Sequence, residues 1–359
     1  MMKNIKRIAW VVMLLLLGCS LPDEYQIYHW ADYWLTTMDY AGKDSTALRR
    51  QLSDQVPPGG LEYAIPFLRH GERKILMVNL GKIYVADSVG ENLLFLAENV
   101  FLGSDEISIA PNGECIVFSR RNDLYRLDTD GSNSTFLTSD TNFSDVQPSY
   151  SFDGKKIAFV REKKGEKGWD ALCYLETDND SIHVLRTTNQ ENDKVKRYYY
   201  PRFDPSGQYV YYLFSSVFKS GLYRLKISNG QTQLILKTFI DNPHPVRFAE
   251  TGRYLFENGN HLYVGENDGN APVDLGRLLL QDYGKAEFQL SNDGMYIVYV
   301  PYWRTSEIWL MRSDGTQNRK LTLGVHPFFI PGEKRILFYA KHWHKGKDAP
   351  NNLDFGWDY

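Results

Sequence analysis

Along most of the chain, short apolar and aromatic runs alternate with turns built on glycine. Such runs, rich in Ile, Val, Tyr and Phe and bounded by Gly, Asp, Asn and Pro, are too short for helices and predict strands. The pattern repeats seven times. The turn His70-Gly71-Glu72 precedes Ile75 to Val78, Pro111-Asn112-Gly113 precedes Cys115 to Phe118, and Ser151-Phe152-Asp153-Gly154 precedes Ile157 to Val160. Asp204-Pro205-Ser206-Gly207 precedes Tyr209 to Leu213, and Glu250-Thr251-Gly252 precedes Tyr254 to Phe256. Ser291-Asn292-Asp293-Gly294 precedes Tyr296 to Val300, and Pro331-Gly332-Glu333 precedes Ile336 to Tyr339. These glycines recur at intervals of 38 to 53 residues.

A third strand follows in most units, as in Leu124 to Leu127, Leu172 to Leu175, Leu222 to Leu225 and Ile308 to Met311. Asp130-Gly131 and Asp314-Gly315 then stand where a tight hairpin into a fourth strand needs residues tolerant of positive φ. Four antiparallel strands per repeat of 40 to 50 residues predict an all-β chain folded as a single β-propeller over residues 61–359. Seven first hairpins predict seven blades, with six as the alternative. The segment from Tyr25 to Thr37 is a candidate for an N-terminal strand that seals the last blade, or for an irregular tether; Leu353 to Tyr359 is another candidate for the missing pieces. The run Pro148 to Phe159, with Met311-Arg312-Ser313-Asp314-Gly315 and Lys320-Leu321-Thr322, resembles TolB-type, WD-like propeller repeats. That resemblance implies a fold and carries no catalytic residue. The blades of Gly71, Gly252 and Gly332 depart from it by lacking Asp-Gly.

The N-terminus follows a different pattern. Lys3, Lys6 and Arg7 precede an unbroken apolar run from Ile8 to Leu17, which ends at Gly18 and Cys19. A basic start followed by a short apolar run is an export signal, since a run of this length rises only about 15 Å as a helix, half of a bilayer core. Leu16-Leu17-Gly18-Cys19 resembles the bacterial lipobox, which implies that residues 1–18 are removed, that Cys19 carries acyl chains, and that residues 19–60 form a lipidated tether. Two or more chains make such an anchor stable. Ser20 resembles outer-membrane sorting, so the expected address is the envelope, at the outer membrane rather than the inner, facing the periplasm or the surface. Only Cys115 and Cys173 then remain, too few for a disulfide framework.

With 43% hydrophobic and 24% charged residues, the chain has the composition of a folded domain. Its 41 Lys and Arg against 44 Asp and Glu leave no basic field that would neutralise phosphates, which argues against a nucleic-acid partner. No Gly-x-Ser-x-Gly elbow, His-Glu-x-x-His pair or phosphate-binding glycine loop occurs.

Counting back from each anchor glycine places Ile65, Glu106, Gln147, Tyr200, His244, Glu287 and His326 at the starts of the innermost strands, five of them followed by proline. His244, His326, Glu287 and Gln147 are therefore the candidate ligands for a divalent metal or a polar ligand at the channel mouth. Aromatic content is 14%, and Trp169, Tyr198 to Tyr200 and Tyr302-Trp303-Arg304 fall in the loops of that same face. Tyr, Trp and Arg dominate interfaces, and flat rings stack on sugars. His342-Trp343-His344 is an i, i+2 histidine pair after the last second strand, and Arg161 to Lys167 is a charged run expected to face solvent.

The expected function is thus that of a lipid-anchored envelope propeller that binds a protein or glycan without catalysis, through Gln147, Tyr200, His244, Glu287, Trp303, Arg304 and His326. The alternative is a metal-dependent carbohydrate enzyme. His244-Pro245 and His326-Pro327 resemble the channel histidines of oligogalacturonate lyases, but Asn242 and Gly324 stand where that family has a second histidine.

Overall fold

A computed structural model describes residues 29–41, 46–47, 61–79, 81–88, 92–98, 107–166, 168–188, 197–216, 220–238, 244–278, 287–301 and 306–345. Every element among them is a strand. Two come from the N-terminal segment, β1 (His29–Asp39) and β2 (Thr46–Ala47). The first repeat gives β3 (Leu61–Arg69), β4 (Glu72–Asn79), β5 (Lys82–Asp87) and β6 (Leu94–Ala97), the second β7 (Ile107–Ile109), β8 (Cys115–Arg120), β9 (Asp123–Asp128) and β10 (Ser134–Phe136). The third gives β11 (Phe143–Tyr150), β12 (Lys156–Lys163), β13 (Asp170–Glu176) and β14 (Ile182–Thr187). The fourth gives β15 (Arg197–Phe203), β16 (Tyr209–Ser215), β17 (Ser220–Lys226) and β18 (Thr232–Lys237). The fifth gives β19 (Arg247–Phe248), β20 (Tyr254–Asn258), β21 (His261–Gly265) and β22 (Val273–Arg277). The chain ends with β23 (Glu287–Leu290), β24 (Tyr296–Val300), β25 (Glu307–Arg312), β26 (Arg319–Phe329) and β27 (Arg335–Lys345).

These strands form six antiparallel sheets, five of four strands and one of seven in the order β2-β1-β27-β26-β25-β24-β23. The number of separate sheets is therefore six, the alternative, and not seven. The physical reason lies in β26. Its first half pairs with β25, from Leu323 opposite Glu307 to Arg319 opposite Leu310, and its second half pairs with β27, from Gly324 opposite Ala340 to Phe329 opposite Ile336. No turn interrupts it, so the seventh hairpin shares a strand with the sixth unit instead of starting its own sheet. On its far side, β27 pairs with β1 over eleven residues, and β1 pairs with β2. The stretch His342-Trp343-His344 lies inside β27 opposite Asp32, Ala31 and Trp30, and not after that strand as expected.

The turns explain the repeat. All seven anchor glycines hold φ between +67° and +92°, a region that a residue with a Cβ enters only under strain. In the third unit the Ser151 hydroxyl accepts the Lys156 N–H (2.9 Å) and donates to Asp153, whose carboxylate accepts the Lys155 N–H (3.0 Å). Ser291 and Asp293 repeat this with the N–H groups of Tyr296 and Met295. The Ser-x-Asp-Gly motif thus satisfies the turn's own backbone donors.

Side chains of successive units interlock into separate apolar clusters. Leu76, Val78 and Ile83 meet Ile116 and Phe118; Val117 meets Ile157 and Phe159; Ala158 and Val160 meet Val210 and Tyr212. The ring shuts where Ile75 and Met77 of β4 pack on Leu337 and Tyr339 of β27, with Arg73 paired to Glu333 across the same seam. Cys115 and Cys173 are buried free thiols. No helix among the described residues is long and apolar enough to cross a membrane.

Candidate binding site

Gln147, Tyr200 and His326 share one backbone device. Each precedes a proline, each has left-handed backbone (φ +58°, +49° and +53°), and each sits at a slip in strand register, between Val146 and Ser149, Tyr199 and Arg202, and Val325 and Phe328. Proline cannot donate to a ladder and drives the residue before it out of the right-handed helical region, so the X-Pro pair bulges from the strand. The three residues are in mid-strand, not at strand starts as expected, because β11, β15 and β26 begin several residues earlier. Left-handed backbone at a residue with a Cβ costs on the order of 1–3 kcal/mol, which the surroundings must offset.

For Tyr200 and His326 the preceding unit does so. The Tyr200 N–H donates to Gln147 Oε1 (2.8 Å), and the His326 N–H donates to Glu287 Oε2 (2.7 Å). Glu287 also holds the imidazole, with its Oε1 3.0 Å from His326 Nδ1. One amide and one carboxylate therefore fix the bulge of the next inner strand, and Glu287 grips backbone and side chain of the same residue. The His326 side chain keeps 34% of its exposure.

His244 lies three residues before β19 and is buried, its ring edge-on to Phe288 with centroids 5.8 Å apart. Its electrostatic neighbour is Glu257, at the end of β20 and also buried. Burial raises the Glu257 carboxyl above its ordinary range, against the Asn260 N–H that donates to it (2.9 Å) and the His244 charge. The sequence reading missed Glu257. Its one signal was an acid continuing the apolar run Tyr254-Leu255-Phe256.

Five of the expected residues thus come from consecutive units, Gln147 touching Tyr200, Glu287 touching His326, and His244 packed on Phe288 beside Glu287. Cys19, Glu106, Trp303 and Arg304 lie outside the described residues. Tyr198 belongs to the core, T-shaped on Tyr212 at 5.5 Å, and Trp169 packs on Phe143. The charged run from Arg161 is not all solvated: Arg161 donates Nε and Nη2 to the buried carboxylate of Asp145, both at 2.8 Å, and covers the Phe143 ring. Among the described residues, no three His, Cys, Asp or Glu are grouped to hold a metal ion. The partly exposed His326–Glu287 couple and the Tyr200 hydroxyl can accept and donate hydrogen bonds to a polar partner at this face, whereas His244 and Glu257 are buried.

Closed rings of four-stranded antiparallel units define the class: the chain is a β-propeller. Solved structures similar to it include an oligogalacturonate lyase in complex with manganese, with a TM-score of 0.62, 12% identity, and coverage of 88% of this chain and 97% of that one. The oligogalacturonate lyase of Vibrio parahaemolyticus is similar at a TM-score of 0.61 and 12% identity, covering 88% and 96%. A putative TolB from Agrobacterium tumefaciens has a TM-score of 0.49 and 13% identity, covering 87% and 99%. No profile of a protein family matches the chain, and no curated protein sequence matches it.

Proposed function

We propose that this protein is a lipid-anchored propeller of the bacterial envelope, held at the outer membrane through Cys19, that binds a protein or glycan partner without catalysis. Its binding face carries Gln147, Tyr200, His244, Glu287, Trp303, Arg304 and His326. The observation that supports this reading is the keyed bulge. Gln147 and Glu287 are committed to holding the backbone of the next unit, which suits residues that present neighbours rigidly rather than residues that turn over a substrate. Rigid aromatic and imidazole side chains on a preorganised ring lower the entropy cost of association. Substituting Tyr200 and Trp303 by Ala should abolish partner capture in cross-linking of intact cells, while the variant still folds and melts cooperatively. Undiminished capture by that double variant would refute the site.

A metal-dependent carbohydrate enzyme is the second reading, favoured by the two histidine–glutamate couples His244 with Glu257 and His326 with Glu287. The donor set does not fit a metal as it stands, since no third donor joins either couple among the described residues. Elemental analysis of protein purified without chelator separates the readings. About one divalent ion per chain, lost in the variant His244→Ala, His326→Ala, would favour the enzyme; no stoichiometric metal would favour the binding protein.

A further inference from the structure

At one end of the fourth sheet lies a second constellation. In an antiparallel sheet the β15–β16 and β17–β18 turns share one end, and Tyr209, Lys226 and Thr232 stand beside those turns. There Tyr209, Arg224, Lys226, Gln231, Thr232 and Gln233 line a cleft of about 410 Å³. The cross-strand register puts Tyr209 opposite Lys226 and Arg224 opposite Gln233, so these groups converge by pairing and not by chance of rotamer.

The arginine is preorganised. Its guanidinium covers the Tyr209 ring at 4.6 Å, Nε donates to Gln233 Oε1 (2.9 Å), and Nη2 donates to the Asp268 carbonyl of the neighbouring sheet (3.3 Å). Gln233 completes the clamp by donating Nε2 to the Gly269 carbonyl (2.8 Å). Gly269, at φ +86°, is pressed so close that a Cβ there would stand 1.9 Å from Arg224 Nη2. A guanidinium fixed on three sides keeps less rotational freedom to lose on binding. Two cations line the cleft and no carboxylate does. Asp268 turns its carboxylate to the Asn270 N–H (2.8 Å) and side-chain amide (2.6 Å), and these bonds, with a smaller part from the Arg224 charge, lower it below the ordinary carboxylate range. Lys226 has no ion-pair partner among the described residues, and an inter-sheet staple needs neither Lys226 nor Thr232.

From this geometry we infer that the cleft is an anion-selective saccharide site: Arg224 and Lys226 take a phosphate or carboxylate group, and Gln231 and Gln233 take the hydroxyls of the sugar that carries it. Its volume is within the range of small-molecule sites, and more than ten times the roughly 30 Å³ that one water fills in the liquid, so a lone inorganic anion would leave most of it empty. The site is separate from the channel face and stands or falls independently of it.

The test uses the full-length chain in detergent and three probes: trehalose 6-phosphate, trehalose and inorganic phosphate. Calorimetry should show saturable binding of the sugar phosphate, weaker binding of the other two, and a loss of about tenfold or more in Lys226→Gln with an unchanged melting temperature. Gly269→Ala should weaken binding as well, by displacing the arginine. Equal affinity for trehalose would remove the anion from the proposal, equal affinity for phosphate would remove the sugar, and unchanged binding by Lys226→Gln or no saturable binding into the millimolar range would overturn it.

Discussion

Asp170, at the first position of β13, shows how one buried group sets a pH dependence. Its carboxyl is pushed up to about 6, chiefly by burial, with Glu162 adding to the shift while Arg197 and the Tyr198 N–H oppose it. An exposed aspartate in the unfolded chain titrates near ~3.9. Between about pH 4 and 6 the unfolded chain therefore releases a proton that the native chain keeps, and this contribution to stability is full below pH ~4 and is lost as pH rises through 6. Two pKa units correspond to about 3 kcal/mol. Urea unfolding should show native protein losing up to about 3 kcal/mol relative to Asp170→Asn across that window; parallel pH curves for the two proteins would show that Asp170 titrates normally. Nothing in the sequence around Asp170 marks it apart from the Asp residues of the turns. Its shift comes chiefly from burial, which only the packed fold creates, and Arg197 and Tyr198 of the next unit moderate it, so the shift is a tertiary fact.

At the scale of the element, the anchor glycines made the hairpins legible, because each Ser-x-Asp-Gly or Pro-x-Gly turn satisfies its backbone locally. The bulges at Gln147, Tyr200 and His326 were half legible: proline marked the place, but the strands run on past it, and the partners that hold the bulges at Tyr200 and His326 come from another unit. The fused sheet was not legible, since β26 carries no turn residue except Gly324 between its two pairings. That glycine has a physical duty. A Cβ at position 324 would stand 2.5 Å from the Tyr339 carbonyl and 2.7 Å from Phe338, so only glycine lets β26 pass from β25 to β27 at this separation. Gly324→Ala should thus act as overpacking and cost about 1–3 kcal/mol, with the apolar clusters on both sides disturbed together. Denaturant titration measures it, and a variant as stable as the parent would mean that the strand has room to shift.

For the whole molecule, the decisive connection is β1 with β27, which joins the N-terminal segment to the last strand and places Met38 among Val298, Ile308 and Ile336. β1 covers the long edge that β27 would otherwise present to other chains. The same strand lies ten residues after Cys19, and nine intervening residues reach at most about 35 Å when fully extended. If Cys19 carries the lipid, the seam of the ring is the part of the disc tied closest to the bilayer, and anchoring and closure depend on one segment in different ways. Two variants separate them. Cys19→Ala should leave the membrane fraction while melting at the same temperature as the anchored protein. Deletion of residues 29–47 should lower the melting temperature and promote association through the bared edge of β27. A Cys19→Ala protein that still sediments with membranes would end the lipid-anchor assignment, and a deletion variant that melts with the parent would mean that the ring is held by its apolar clusters without β1.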